Sequence, residues 1–303
     1  MMLPDHPALS KVVVTGILRD LPDRAVLAVD HHGQPAFLKL FRQPDFHRKV
    51  LLTQDNLRAS AARLGQGGNT VALPLLALPE IGALLFAHAP GEALSLHLAA
   101  AAPARRAALI ARAGAWLAAL TPQRSRSGFA PRYWLGGLIR RRQDAAPGDW
   151  LDAALIDGHL ARLRAMVPQL RAAPVERAPI HGDFTPDNLF LDDSQPPDGR
   201  LCAIDMQGES VMPVARDIAR ILVWLESRRT HSSSPECAGA TIDGIATADY
   251  LALTTVPGLL PQDQRPILRF MIGDLMAAYY LDAPRQPARR AALARAMTEW
   301  ARG

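Results

Sequence analysis

The sequence predicts a mixed α+β chain, with a small antiparallel sheet first and helices dominating after it. Two observations carry this. Short apolar strands bounded by turn residues crowd residues 11–40. Apolar residues at three- and four-residue steps then run through 46–64, 93–120, 151–172 and much of 245–303. A chain of 303 residues, 49% of them hydrophobic, can build a real core in one large domain or two lobes.

Lys11–Thr15 reads as the first strand and Ala25–Val29 as the second. His31-His32-Gly33-Gln34 supplies a hairpin turn into the third, Ala36–Leu40. That strand alternates around Lys39, and only Lys11, Lys39 and Lys49 are lysines in a chain otherwise rich in Arg. Residues 46–64 read as a helix with Val50, Leu57, Ala61 and Leu64 on one face; Gln54 falls on that face and Asp55 one step round. Gly65-Gln66-Gly67-Gly68-Asn69 ends the helix. Val71–Leu76 and Ala83–Phe86 complete the sheet, and Ala87-His88-Ala89-Pro90-Gly91-Glu92 follows as a loop.

Residues 93–120 predict a pair of amphipathic helices. Residues 121–150 lose that rhythm to prolines, glycines, arginines and the aromatics Phe129, Tyr133 and Trp134. The 151–172 helix turns Leu155, Leu160, Leu163, Val167 and Leu170 inward. Another helix opens near Pro213, residues 231–244 form a polar loop, and the remainder is helical.

Composition narrows the function classes. Cys202 and Cys237 make no disulfide framework, which implies a reducing compartment. The opening lacks a signal-peptide pattern and no uncharged apolar run reaches spanning length, so the expectation is a cytoplasmic protein with no membrane partner. Net charge is +5 and the sequence pI about 9.7, yet no Lys/Arg run is interleaved with aromatics, so nucleic acid is not an expected partner. The oligomeric state is not written in the sequence.

The chemistry concentrates in Ile180–Phe190, a short apolar strand, a polar loop and a second apolar strand. The loop carries Asp183 and, five residues on, Asn188; Asp205 follows in Leu201–Asp205. Phosphoryl transfer needs such a set: one carboxylate for the acceptor hydroxyl, and an amide and a second carboxylate for Mg²⁺ on the nucleotide phosphates. An Asx-rich turn between two strands is the plainer reading of the loop alone.

His181-Gly182-Asp183 with Asn188, followed by Ile204-Asp205, resembles the signature of the aminoglycoside phosphotransferase and choline kinase family, which are small-molecule kinases. The resemblance implies a protein-kinase-like two-lobed α+β fold, with an antiparallel-sheet lobe over residues 1–88 and a larger, mainly helical lobe over 89–303. It implies Asp183 as the catalytic Asp that accepts the hydroxyl proton, Asn188 and Asp205 as Mg²⁺ ligands, and Lys39 on the phosphates of ATP. The Ala87 carbonyl and Ala89 amide would face the adenine edge. Asp217, in Asp-Ile-Ala, would hold the catalytic loop, and His181 would fix it structurally. The chain departs from protein kinases in lacking a G-x-G-x-x-G loop and in offering Gln54 or Asp55 to Lys39 where a Glu is usual.

The reaction so implied is transfer of the γ-phosphoryl group of ATP to a small-molecule hydroxyl. A nucleotide-binding pseudokinase or scaffold is the alternative, encouraged by the missing helix Glu and opposed by intact Asp183, Asn188 and Asp205. A protein kinase is disfavoured by the absence of a Gly-rich loop and of an Ala-Pro-Glu segment. Residues 121–142, the candidate acceptor stretch, hold Arg124, Arg126, Arg132, Arg140, Arg141 and Arg142 and no acid, which predicts a neutral or anionic acceptor. Acids for that pocket are available from Asp243, Asp249, Asp263, Asp274 and Asp282.

Overall fold

The computed structural model describes residues 3–65, 67–145, 148–194, 199–206, 211–229 and 240–302. Gln207-Gly208-Glu209, which follow shortly after Asp205, and most of the polar loop at 231–244, with Cys237, lie outside the described residues. The chain forms two compact units: Met1–Leu94 with Asn188–Glu209, and Ser95–Asp187 with Ser210–Gly303. Elements are numbered in chain order.

The first unit is built on an antiparallel sheet of β1 (Val12–Asp20), β2 (Arg24–His31), β3 (Gln34–Phe41), β6 (Ala83–Ala87) and β5 (Pro74–Leu78), in the spatial order β1-β2-β3-β6-β5. Period-two alternation sorts its two faces. Ala25, Leu27 and Val29 of β2 and Ala36, Leu38 and Leu40 of β3 enter one core with Leu9, Val12 and Leu85. The intervening Val26, Phe37 and Lys39 point to the other face, where they line a cleft. Helix α1 (Phe46–Leu64) buries Val50, Leu57, Ser60 and Leu64, and Val50 packs with Phe41 and Leu84. Its bounds agree with the apolar periodicity, and Gly65, at φ 70°, stands at its C-terminal end.

The predicted strand at Val71–Leu76 is two strands in different sheets. β4 (Asn69–Val71) runs parallel to β11 (Arg200–Ala203), while β5 starts at Pro74 beside β6. Proline has no N–H for a ladder, so the switch falls where one sheet would lose a donor. β11 also pairs with β10 (Leu189–Asp192), which pairs in turn with β7 (Glu92–Ala93). Gly91, at φ 81°, precedes β7, and a Cβ there would overlap the Leu191 carbonyl. Only glycine fits that approach.

The second unit is mainly helical: α2 (Leu94–Ala100, entered from the first unit), α3 (Pro103–Leu120), α4 (Pro131–Asp144), α5 (Ala153–Leu170), α6 (Val214–Ser227), α7 (Thr247–Thr254), α8 (Arg265–Leu281) and α9 (Pro287–Arg302). Helices α6 and α8 are buried nearly all round and form its centre, with Ile218, Leu222, Phe270 and Met271 fully buried. Residues 121–150, which lack a clear period, hold a strand, β8 (Ser125–Gly128), and the polar helix α4. β8 pairs with β9 (Pro174–Pro179), and β9 with β12 (Val211–Pro213).

Candidate active site

Each unit carries its own part of the predicted set. In the first, the β10–β11 hairpin brings Asn188 and Asp205 to one end of a ladder. Leu189 pairs with Ala203, and the Asn188 carbonyl accepts the Ile204 N–H at 2.9 Å, so the two flanking side chains come together although the hairpin separates them in sequence. Both line a cleft of about 340 Å³ with Lys39, Ala87 and Ala89. All five of these predicted residues therefore meet around one space. Asp205 sits at φ 50°, in the left-handed region that a non-glycine residue rarely adopts. Backbone strain of this kind is concentrated at functional sites.

Lys39 Nζ donates to Asp205 Oδ1 at 2.8 Å. The expected contact of Lys39 with Gln54 or Asp55 is not formed. The helix presents Thr53 and Leu57 to the cleft, and at 100° per residue Gln54 is turned off that wall and Asp55 lies exposed. Val26, Phe37, Phe86 and Phe190 give it an apolar wall, and the three phenylalanine rings offer flat surfaces suited to a planar base. His88 fastens the loop after β6, its Nδ1 hydrogen-bonded to the Ala89 carbonyl at 2.8 Å and its ring beside Phe37 and Phe190. Arg19 and Arg24 also border the cleft. No sequence motif singles them out, though Arg24 shares strand parity with Val26 and so belongs to the cleft face rather than the core face.

Mg²⁺ is the cofactor the set implies, and the donors fit it. It keeps several waters and binds through one or two protein oxygens plus substrate phosphates. A carboxylate at Asp205 and an amide oxygen at Asn188 are that kind of partial shell. Among the described residues no cluster of three or more His, Cys, Asp or Glu forms an all-protein metal cage.

In the second unit the polar loop is held from α6. The fully buried Asp217 accepts the His181 N–H at 2.8 Å and the Gly182 N–H at 3.2 Å. Burial pushes its carboxyl up to about 6, while Arg220, the two N–H donors and Arg216 pull it back. The loop support implied for Asp217 is thus present as direct hydrogen bonds. Gly182 turns at φ 86°. The His181 ring is buried against Trp116 and Phe184, and its Nδ1 accepts the Asp183 N–H at 3.2 Å. That ring shapes the loop from within. Trp224 Nε1 and Arg228 tie down Asp187 at 3.1 and 3.2 Å.

The Asp183 carboxylate stays about one-third exposed, and its Oδ1 accepts from Arg220 Nη1 at 3.1 Å. Arg220 lies on α6 with Arg216 and Asp217. The sequence marks it only by its place about one turn beyond Asp217, so it went unpredicted. Burial lowers its hold on its proton, but Tyr279, Asp183 and Asp217 more than offset this and the value is raised.

Three of the six arginines at 121–142 are committed elsewhere. Arg124 and Arg126 both pair with Glu176, and Arg142 pairs with Asp157. Arg140 and Arg141 line a second cavity, of about 290 Å³, together with Arg216 and Arg220. Of the five candidate acids, Asp274 and Asp282 reach that cavity; Asp243, Asp249 and Asp263 are paired with Arg269, Arg106 and Arg126.

This α+β architecture is that of the protein-kinase-like phosphotransferases. The chain belongs to the phosphotransferase enzyme family (APH), whose model matches residues 13–254. Among solved structures it is similar to the GDP and kanamycin complex of APH(2")-IIia, at 12% identity and TM-score 0.56, over 96% of this chain and 94% of that one. It is similar to a thermostable mutant of aminoglycoside phosphotransferase APH(4)-Ia in complex with ADP and hygromycin B, at 12% identity and TM-score 0.56, over 96% and 95%. A choline/ethanolamine kinase family protein from Mesorhizobium loti matches at 15% identity and TM-score 0.53, over 98% and 89%. At these identities the likeness concerns the fold. No curated protein matches the chain. Among the described residues no helix is long and apolar enough to cross a membrane.

Proposed function

We propose that the protein is a small-molecule kinase that moves the γ-phosphoryl group of ATP to an acceptor hydroxyl. The observation that carries this reading is the convergence of Lys39, Asn188 and Asp205 on one cleft with flat apolar walls. In this reading the nucleotide base lies against Phe37, Phe86 and Phe190, with the Ala87 carbonyl and Ala89 amide at its edge. Lys39 holds the phosphates, and its present partner Asp205 is released to share the metal with Asn188. Bound Mg²⁺ supplies charge neutralisation on the phosphates. Nucleotide contacts fall largely in residues 1–88, and the acceptor chemistry in 89–303.

Asp183 orients the hydroxyl and takes its proton. The hydroxyl oxygen forms a bond to the γ-phosphorus while the bond from that phosphorus to the β,γ-bridging oxygen breaks, its electron pair leaving with ADP. Positioning and electrostatics supply most of the rate. A cytoplasmic location and a neutral or anionic acceptor belong to the same reading. Phosphate transfer from γ-labelled ATP across a panel of hydroxylated metabolites, with and without Mg²⁺, tests it. Nucleotide binding with no transfer to any acceptor and no ATP hydrolysis would favour a pseudokinase instead.

A further inference from the structure

The cavity in the second unit has a charge imbalance that the proposed reaction does not by itself require. Four guanidinium groups (Arg140, Arg141, Arg216 and Arg220) and two carboxylates, Asp274 and Asp282, line it; with Asp183 holding Arg220, the guanidinium left over is that of Arg140. Arg141 and Asp282 neutralise each other at the rim through a two-oxygen contact. Arg216 is paired with the buried Asp274 at 3.2 Å and lies 4.2 Å over the Trp134 ring, which fixes it as part of the wall. Arg140 is exposed and has no ion-pair partner among the described residues. Arg220, one helical turn from Arg216, reaches Asp183 Oδ1 at 3.1 Å and the Tyr279 hydroxyl at 3.4 Å. The charge of Arg220 repels that of Arg216 one turn away on the helix, where burial already disfavours the charged form. An anion in the cavity relieves that repulsion, and a cation adds to it.

From this we infer that the cavity takes an acceptor bearing a carboxylate or phosphate group, bound by Arg140 and Arg220, and that this anion competes with Asp183 for Arg220. The inference rests on the kinase reading for the word acceptor. With Arg220 turned to the anion, the Asp183 carboxylate loses that ion pair and becomes the stronger acceptor for the hydroxyl proton. An acceptor without the anionic group leaves Arg220 on Asp183. Arg220 is then a specificity-determining residue, because the right acceptor draws it off the base. The volume, near 290 Å³, fits a small metabolite. Tyr133, exposed beside Trp134 at the cavity mouth, offers an apolar face to the carbon skeleton.

The test is direct binding to the full chain by calorimetry, without nucleotide, of four probes on one three-carbon skeleton: glycerate, glycerol 3-phosphate, glycerol and serinol. At least one anionic probe is expected to bind about tenfold or more tighter than glycerol, with serinol, the cation, weakest. Preference for glycerate marks a carboxylate site, and preference for glycerol 3-phosphate a phosphate site. Arg140→Gln, at an exposed residue that makes no described ion pair, should weaken anion binding several-fold with the fold intact; Arg220→Gln should remove most of the preference. Three outcomes overturn the inference: no binding of either anion at concentrations up to about 0.1 M, serinol bound as tightly as the anions, or a preference unchanged in both variants. Because no ATP is present, these results stand apart from the kinase reading. Efficient phosphorylation of a polycation would overturn the inference and leave that reading in place.

Discussion

Lys39 Nζ and Asp205 Oδ1 lie 2.8 Å apart and join positions separated by 166 residues. The cation comes from the middle strand of an antiparallel sheet, and the carboxylate from a residue in the left-handed region just past a hairpin. Each group is a counter-ion to the other here, and in the proposed reading phosphates and a metal take over those roles. Both remain partly exposed, at 21% and 38%, so solvent screens the pair and it adds little to stability.

Lys39→Met should therefore lower the melting temperature only slightly while weakening nucleotide binding strongly. Asp205→Ala should weaken Mg²⁺-nucleotide binding more than Asp183→Asn does. Titration of a fluorescent nucleotide analogue, with and without Mg²⁺, separates the effects. Unchanged affinity in both cleft variants would place the nucleotide elsewhere.

Asp183→Asn removes the proposed base and keeps the shape. A general base contributes about 10²–10⁴-fold, and the turnover number should fall by that order while nucleotide affinity persists. Near-normal turnover would sink the assignment.

Gly91→Ala should destabilise the first unit. The Cβ meets the Leu191 carbonyl, and alanine tolerates φ 81° poorly, at about 1–3 kcal/mol before any clash is counted. Hydrogen exchange should report loosening of β7 and β10 first. Protection equal to that of the parent protein would contradict the close approach.

His159 sets an expected acid limb of stability. Its ring is buried against Trp300, with Nε2 hydrogen-bonded to the Gly273 carbonyl at 2.9 Å. Burial lowers its pKa from 6.5 to about 4, the Gly273 hydrogen bond opposing and Arg162 assisting. Between those values the unfolded chain binds more protons than the folded one, so stability falls as pH drops through the window. The loss from this group is on the order of 3–4 kcal/mol across the whole window, since a tenfold change in proton affinity is worth roughly 1.4 kcal/mol. His159→Leu should flatten the limb in denaturant titrations at pH 7, 5.5 and 4. An identical slope in parent and variant would rule the histidine out as its source.

Much of this is legible along the chain. The α1 limits, the alternation around Lys39 and the strand–loop–strand pattern around Asp183 are local, and hydrophobic period and turn chemistry encode local structure directly. Alternation on β2 and β3 already separates a core face from a cleft face, which is why Lys39 can be identified from the sequence. Asn188 and Asp205 come together through one hairpin register, itself a short-range feature.

The tertiary structure decided what depends on partners distant in sequence. The parallel pairing of β4 with β11, which divides the Val71–Leu76 run between two sheets, has no signature in either segment alone. Lys39 takes Asp205 rather than Gln54 because α1 presents Thr53 and Leu57 to the cleft, a choice its period alone does not settle. The arginines at 121–142 read alike in sequence, yet Arg124, Arg126 and Arg142 are consumed by Glu176 and Asp157 while Arg140 is left at the cavity. Charge is a local property of a residue; whether it is neutralised depends on which long-range contacts the fold brings to it.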